Sequence, residues 1–177
     1  MSHIPNLLSA ARLALAPYIF YLLGTRQYSA ALVWFAIAGV TDGLDGWLAR
    51  RYNAGSRLGA LLDPVADKVL LSGSFLTLAL TFVVPWSLTF IVLGRDLMIL
   101  AFALHALSKK TTREFPPSKW GKLSTAAQIA YVLAIVGYEA MAGHEASFAY
   151  SGVVALLGWA TFALTIYSGI DYARRVS

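Results

Sequence analysis

Residues 42–67 read DGLDGWLARRYNAGSRLGALLDPVAD, and this stretch decides the fold. At about 3.6 residues per turn, Asp42, Asp45, Gly46 and Ala49 fall within about a third of a helix circumference, while Gly59, Asp63 and Asp67 follow one another at i, i+4 steps. Two helices therefore each aim two carboxylates in one direction. The segments that hold them, Ala30 to Ala49 and Leu58 to Pro85, are otherwise apolar enough for each to cross a membrane. An Asp at the centre of a membrane helix costs about 2.5–3.5 kcal/mol, and four near one another also repel. Something cationic must sit among them. Carboxylate oxygens with no Cys in the chain and no nearby His select a hard ion, so Mg²⁺ or Mn²⁺ is expected and zinc is not. Four carboxylates suffice for two such ions.

Working outward, the chain of 177 residues is 58% hydrophobic and only 13% charged, beyond what a water-soluble domain needs to cover its surface. An all-α, polytopic membrane bundle is expected. Six transmembrane helices are read, at Ile4–Leu23, Ala30–Ala49, Leu58–Val84, Ser87–Leu107, Gly121–Met141 and Phe148–Tyr167, each near the roughly 20 residues a bilayer requires. Pro5, Asn6, Ser9 and Arg12 make the first span polar at its start, which also suits a segment lying partly along the interface. The opening residues lack the basic region and cleavage site of a signal peptide, so retention of this segment is expected. No repeat, low-complexity tract or long linker divides residues 1–177, which read as a single membrane domain.

The basic residues orient the spans. Arg50, Arg51 and Arg57, then Lys109, Lys110, Arg113, Lys119 and Lys122, then Arg174 and Arg175 all fall on the side of the N-terminus, and only Arg26 lies in an opposite loop. The positive-inside rule makes the basic side cytoplasmic, with both termini and both Asp pairs on or near it. The cytoplasmic (inner) membrane of a bacterium is the expected location. A net charge of +5 is explained by topology and by anionic lipid head groups, with no nucleic acid required. Absence of Cys excludes disulfides and thiol chemistry.

The cadence Asp42-x2-Asp45-Gly46-x2-Ala49-Arg50-x8-Gly59-x3-Asp63-x3-Asp67 resembles the complete signature of the CDP-alcohol phosphatidyltransferase family, with no departure at any of its positions. Ile4-Pro5-Asn6 with Arg12, Gly94-Arg95-Asp96, and Ser118-Lys119 through Thr125 and Gln128 extend the resemblance over most of the chain. It implies transfer of a phosphatidyl group from CDP-diacylglycerol to an alcohol, with release of CMP. Asp42, Asp45 and Asp63 would be the principal ligands of two divalent ions, and Asp67 a further ligand or the base that takes the acceptor hydroxyl's proton. Gly46, Ala49 and Gly59 would leave room for the nucleotide beside the helices. Arg50, with its planar fork, suits a phosphate oxygen, and Asn6 and Arg12 would close the nucleotide site.

For the acceptor, a lipid or a polyol phosphate, the candidates are Arg95, Asp96, Arg113, Lys119 and Lys122. The run Arg95-Asp96-Leu97-Met98 and the approach Pro117-Ser118-Lys119 resemble the branch of the family that makes cardiolipin from phosphatidylglycerol. The branch acting on glycerol 3-phosphate tends to carry Arg-Glu with a basic residue within two turns. Here Asp96 stands in place of Glu and no basic residue follows until Lys109. Arg113, Lys119 and Lys122 leave the glycerol 3-phosphate alternative open. Arg95 and Asp96, adjacent and therefore pointing in different directions, each need a partner or a cavity at membrane depth.

Plainer readings stand beside these. Arg51 and Arg57 serve equally as topology determinants, and Lys109, Lys110 and Arg113 as a solvated loop. His3, His105 and His144 are too scattered for a ligand set, and most of the Trp residues lie near span ends as interfacial anchors. A membrane prenyltransferase would show a second Asp-rich motif, and a cation transporter has no need of Gly46, Ala49, Arg50 and Gly59 at fixed spacing. The family resemblance also implies a homodimer, for which Gly73, Ser74, Gly137, Gly152 and Gly158 permit close helix approach within or between chains.

Overall fold

Long runs of Leu, Ala, Val and Phe form helices here, because a backbone in hydrocarbon must satisfy its N–H and C=O groups within its own segment. The computed structural model describes the backbone of residues 4–52, 59–108, 118–141 and 148–176, and the side chains of residues 11–41, 68–101, 118–141 and 151–174. Six helices follow in order: α1 (Ile4–Gly24), α2 (Tyr28–Tyr52), α3 (Gly59–Leu80), α4 (Trp86–Ser108), α5 (Lys119–Met141) and α6 (Phe148–Val176). All regular structure among the described residues is helical.

Hydroxyl side chains in these helices find local acceptors. Thr41 Oγ1 donates to the Ile37 carbonyl at 2.8 Å, Ser74 Oγ to Leu70 at 2.7 Å and Thr77 Oγ1 to Gly73 at 2.8 Å. Such back-bonding lets a polar residue sit in an apolar segment without an orphaned group.

Two boundaries differ from the sequence reading by four residues or more. The third helix ends at Leu80 rather than Val84, because Phe82 takes a left-handed conformation (φ 60°) and its N–H bonds back to the Ala79 carbonyl at 3.1 Å. Pro85 then caps α4, its carbonyl accepting the Thr89 N–H. A related device ends α1. Arg26 (φ 59°) bonds to Leu23, and Gln27 bonds to Leu22, the paired bonds of a Schellman motif with Arg in the position glycine usually takes. The sixth helix runs nine residues past the expected Tyr167, to Val176. Along this polar extension Ser168 meets Arg95 of α4, and Asp171 meets Ser118 just before α5.

The chain forms two compact units, Met1–Phe82 and Val83–Ser177. In the first, α1 packs against both α2 and α3, burying Ala16, Ile19, Leu23, Ala31, Phe75 and Leu78. In the second, α6 packs against both α5 and α4, over Val92, Val132, Val136 and Val154.

Polarity is inverted relative to a water-soluble bundle. Ser74, Thr89, Ser124, Thr161, Thr165 and Ser168 are buried, whereas Leu156 is 70% exposed and Trp159 72%. Exposed apolar surface on that scale needs lipid to cover it, and small hydroxyl residues are the natural filling between membrane helices. Among the described residues, Lys119–Met141 and Ser151–Arg174 are long and apolar enough to cross a bilayer, and Ala11–Gly24, Tyr28–Thr41 and Lys68–Leu80 are shorter apolar helical stretches. The protein is an all-helical, membrane-associated bundle.

Gly73 sets the approach of α3 to α1. A methyl group there would fall on the Phe20 ring. Gly73→Ala should therefore lower stability by about 1–3 kcal/mol, the usual cost of overpacking. Pairing it with Phe20→Leu should recover part of the loss in thermal unfolding of the detergent-solubilised protein.

Candidate active site

The first unit holds the aspartate cadence. Asp42, Asp45, Gly46, Ala49 and Arg50 lie on the last three turns of α2, and Gly59, Asp63 and Asp67 on the first three turns of α3. The helical register required by the sequence reading is present in both backbones. Six residues join the two helices, so the end of α2 and the start of α3 are separated by at most about 25 Å of extended chain. The side chains of these residues, and that of Asn6 on α1, lie outside the described set. So does Arg113, backbone included. Among the described residues no group of three or more His, Cys, Asp or Glu side chains forms a metal cluster, a statement that does not reach the four aspartates.

Arg12 is described, and it is only 4% exposed. A guanidinium taken out of solvent requires counter-charge and hydrogen-bond acceptors. Residues 1–82 contain no carboxylate side chain other than Asp42, Asp45, Asp63 and Asp67.

The second unit holds a buried polar network built around Arg95 on α4. Arg95 and Asp96 are 7% and 6% exposed, and the Arg95 Nη1–H donates to Asp96 Oδ1 at 2.7 Å. The expectation that these neighbours point apart is thus corrected. Successive helix positions diverge by about 100° at Cβ, but the four-atom stem of Arg lets the guanidinium fold back to the adjacent carboxylate. Its remaining nitrogens reach the other helices. Nε and Nη2 donate to Ser168 Oγ on α6 at 3.3 and 3.1 Å, and Nη2 also donates to the Gly121 carbonyl on α5 at 3.2 Å. Gly121 makes that approach possible, because a Cβ there would stand 3.2 Å from Arg95 Nη2.

Below this hub, Ser124 and Thr165 share a hydrogen bond at 3.1 Å, and Gln128 Nε2 donates to Thr165 Oγ1 at 3.1 Å. Thr161 Oγ1 donates to the Ala127 carbonyl at 3.1 Å. Interhelical bonds of this kind are worth about 0.6 kcal/mol each in a membrane protein. Above it, Ser118 precedes α5 and caps it, its Oγ accepting the Trp120 N–H at 3.2 Å and donating to Asp171 Oδ2 on α6. Lys119 and Lys122, on the first turn of α5, are exposed.

Of the expected acceptor residues, the structure brings Arg95 and Asp96 together inside the second unit and leaves Lys119 and Lys122 at its surface. The sequence reading missed Ser124, Thr161, Thr165, Ser168 and Asp171. A signal was available for α6, because Thr161, Thr165 and Ser168 recur at i, i+4, i+7, one stripe of a helix.

Residues 2–167 match the family model of the CDP-alcohol phosphatidyltransferases. The chain belongs to this family. It is 35% identical over 188 residues to a cardiolipin synthase (CMP-forming) of Rattus norvegicus, covering 97% of the chain and 62% of that protein. A CDP-diacylglycerol–glycerol-3-phosphate 3-phosphatidyltransferase of Aquifex aeolicus is 38% identical over 127 residues, covering 70% of the chain and 69% of the relative. A cardiolipin synthase (CMP-forming) of Streptomyces coelicolor is 34% identical over 181 residues, covering 98% and 82%. The chain thus spans about three fifths of the length of the mammalian relatives it matches. The names of the relatives divide between cardiolipin synthesis and transfer to glycerol 3-phosphate.

The hub predicts a specific stability pattern. Arg95→Met removes one partner of a buried ion pair together with the bonds to Ser168 and Gly121, and should cost about 3–5 kcal/mol. Arg95→Met with Asp96→Leu should be less destabilised than Arg95→Met alone, as measured by thermal unfolding of the purified variants.

Proposed function

We propose that this chain transfers the phosphatidyl group of CDP-diacylglycerol to the hydroxyl of phosphatidylglycerol, giving cardiolipin and CMP in phospholipid biosynthesis. One observation carries the reading: the eight signature positions fall in helical register on the adjoining ends of α2 and α3, in a unit whose carboxylates are those four aspartates and whose interior buries Arg12. Both units are taken as a single catalytic membrane domain, consistent with a family match across both.

The donor set suits a hard divalent cation, because residues 1–82 offer four carboxylates, no Cys, and His3 as their one histidine. Asp42, Asp45, Asp63 and Asp67 would hold Mg²⁺ or Mn²⁺, two ions in all, supplying positive charge to the diphosphate oxygens. Arg50 donates its fork to a phosphate oxygen. Gly46, Ala49 and Gly59 keep the helix faces shallow beside the nucleotide, and Asn6 and Arg12 bound it from α1. Asp67 takes the proton of the acceptor hydroxyl as its oxygen attacks the β-phosphorus in line. The bond from that phosphorus to the CMP oxygen breaks, and CMP leaves with the electron pair.

Lys119, Lys122 and Arg113 hold the acceptor's phosphate. Arg95 and Asp96 serve the acceptor from beneath, since Arg95 binds the carbonyl of Gly121, the residue preceding Lys122. A second reading, with glycerol 3-phosphate as acceptor, draws support from the Aquifex aeolicus relative and from the two exposed lysines, which suit a small dianion.

Six transmembrane spans, with both termini and the basic loops in the cytoplasm of a bacterial cell, complete the proposal. A homodimer is included. The Phe20 and Tyr131 side chains of the same chain already lie against Gly73 and Gly158, so those glycines pack helices within the protomer. Gly152 has open space beside it and is the better candidate for close approach of a second copy.

Activity, read as CMP release from CDP-diacylglycerol, should be lost in excess chelator and return with Mg²⁺ or Mn²⁺. Asp42→Asn and Asp63→Asn should each lower the rate by orders of magnitude while leaving helix content and thermal stability near normal. Near-normal turnover in either variant would mean that these carboxylates do not hold the ion.

Purified protein given CDP-diacylglycerol should make cardiolipin from phosphatidylglycerol faster than phosphatidylglycerophosphate from glycerol 3-phosphate, as lipid mass spectrometry would show. The opposite preference would exchange the two readings and leave the roles of the four aspartates unchanged.

A further inference from the structure

We infer that Asp171 is a positioning residue for the acceptor, holding the first turn of α5, and with it Lys119 and Lys122, through the Ser118 hydroxyl. This rests on the reading that those two lysines bind the acceptor's phosphate. Ser118 is 2% exposed and is bonded to the turn that carries both lysines in two ways. Its main-chain carbonyl accepts the Lys122 N–H at 3.1 Å, and its Oγ accepts the Trp120 N–H at 3.2 Å. A hydroxyl has one proton. Because that proton is donated to Asp171 Oδ2, the oxygen lone pairs are left facing the helix, which is what an N-cap requires. The carboxylate also lies at the positive end of α5, where its charge is favoured.

The grip is doubled. Ser168, three residues before Asp171 on α6, accepts hydrogen bonds from Arg95, which also binds the Gly121 carbonyl on the same turn of α5. One turn of α6 therefore fixes one turn of α5 at two points. A direct role for Asp171 in binding a phosphate is disfavoured by its own negative charge. Its effect reaches the acceptor through the α5 backbone. Lysines mounted on a fixed turn lose less conformational freedom when they meet a phosphate than lysines on a frayed one, which lowers the cost of binding.

The test is steady-state kinetics of the purified, full chain in mixed micelles, with CDP-diacylglycerol and the acceptor varied separately. The acceptor is phosphatidylglycerol, or glycerol 3-phosphate if that reacts faster. Asp171→Ala and Ser118→Ala should each raise the acceptor KM about five- to tenfold, with kcat within about twofold and the CDP-diacylglycerol KM unchanged. The double variant should be no worse than the worse single one, as expected of two residues acting through one contact. Asp171→Asn keeps an acceptor for the Ser118 proton and should restore most of the loss. If Asp171→Ala fails to fold, Ser118→Ala and Asp171→Asn carry the test. Lys119→Gln and Lys122→Gln serve as reference variants. If they raise the acceptor KM while Asp171→Ala and Ser118→Ala do not, the positioning role is wrong and the lysine reading stands. If the lysine variants leave the acceptor KM unchanged, the lysine reading falls and takes this inference with it. Multiplying effects of the two single variants, or an equal rise in both KM values, would also overturn it.

Discussion

A polar group in hydrocarbon has no water to turn to, so every one placed there must find its partner inside the protein. The architecture follows from that constraint. Serine and threonine hydroxyls return to the carbonyl one turn back, as at Thr41, Ser74 and Thr77, or cross to the neighbouring helix, as Thr161 does to Ala127. The charged residues obey the same rule at higher stakes. Arg95 spreads its donors over Asp96, Ser168 and Gly121, and in doing so ties three helices at one level. A soluble protein would leave such groups at its surface and bury Leu156 and Trp159 in their place.

The two units meet the constraint with different arrangements of charge. The first concentrates carboxylates, all four of them within the 26 residues from Asp42 to Asp67, and self-repulsion among them favours any site that can add positive charge. Arg12 is buried in the same unit, and it and divalent ions are the proposed sources of that charge. Among the described residues, the buried carboxylate of the second unit, Asp96, is paired within the protein, and Lys119 and Lys122 face outward. This division suits the proposed phosphatidyl transfer, in which a diphosphate needs cations around it and an anionic acceptor needs basic side chains. Membership of the CDP-alcohol phosphatidyltransferase family agrees with that reading of the charges.

Much of this is legible in the sequence. Spacing of the aspartates is a helical pattern, and both segments are helical. Apolar runs located all six helices to within a few residues at most ends. The misplaced ends have local causes that hydropathy does not carry. Nothing in the apolarity of residues 81–84 announces that Phe82 turns left-handed and stops α3, and the polar residues after Tyr167 read as the end of a span although α6 continues.

The sequence by itself determined the chemistry on offer: which residues are carboxylates, at what helical spacing, in what apolar surroundings. Those features are local, because the period of a helix and the cost of charge in hydrocarbon do not depend on the rest of the chain. Only the tertiary structure decided the partners. Arg95 and Asp96 are adjacent in sequence and were expected to diverge, yet a long flexible stem lets them pair. Ser118 and Asp171 are 53 residues apart, and nothing in either segment names the other. Contacts of that separation depend on how α5 and α6 pack, a property of side-chain volumes summed over both helices, which no short stretch of sequence contains.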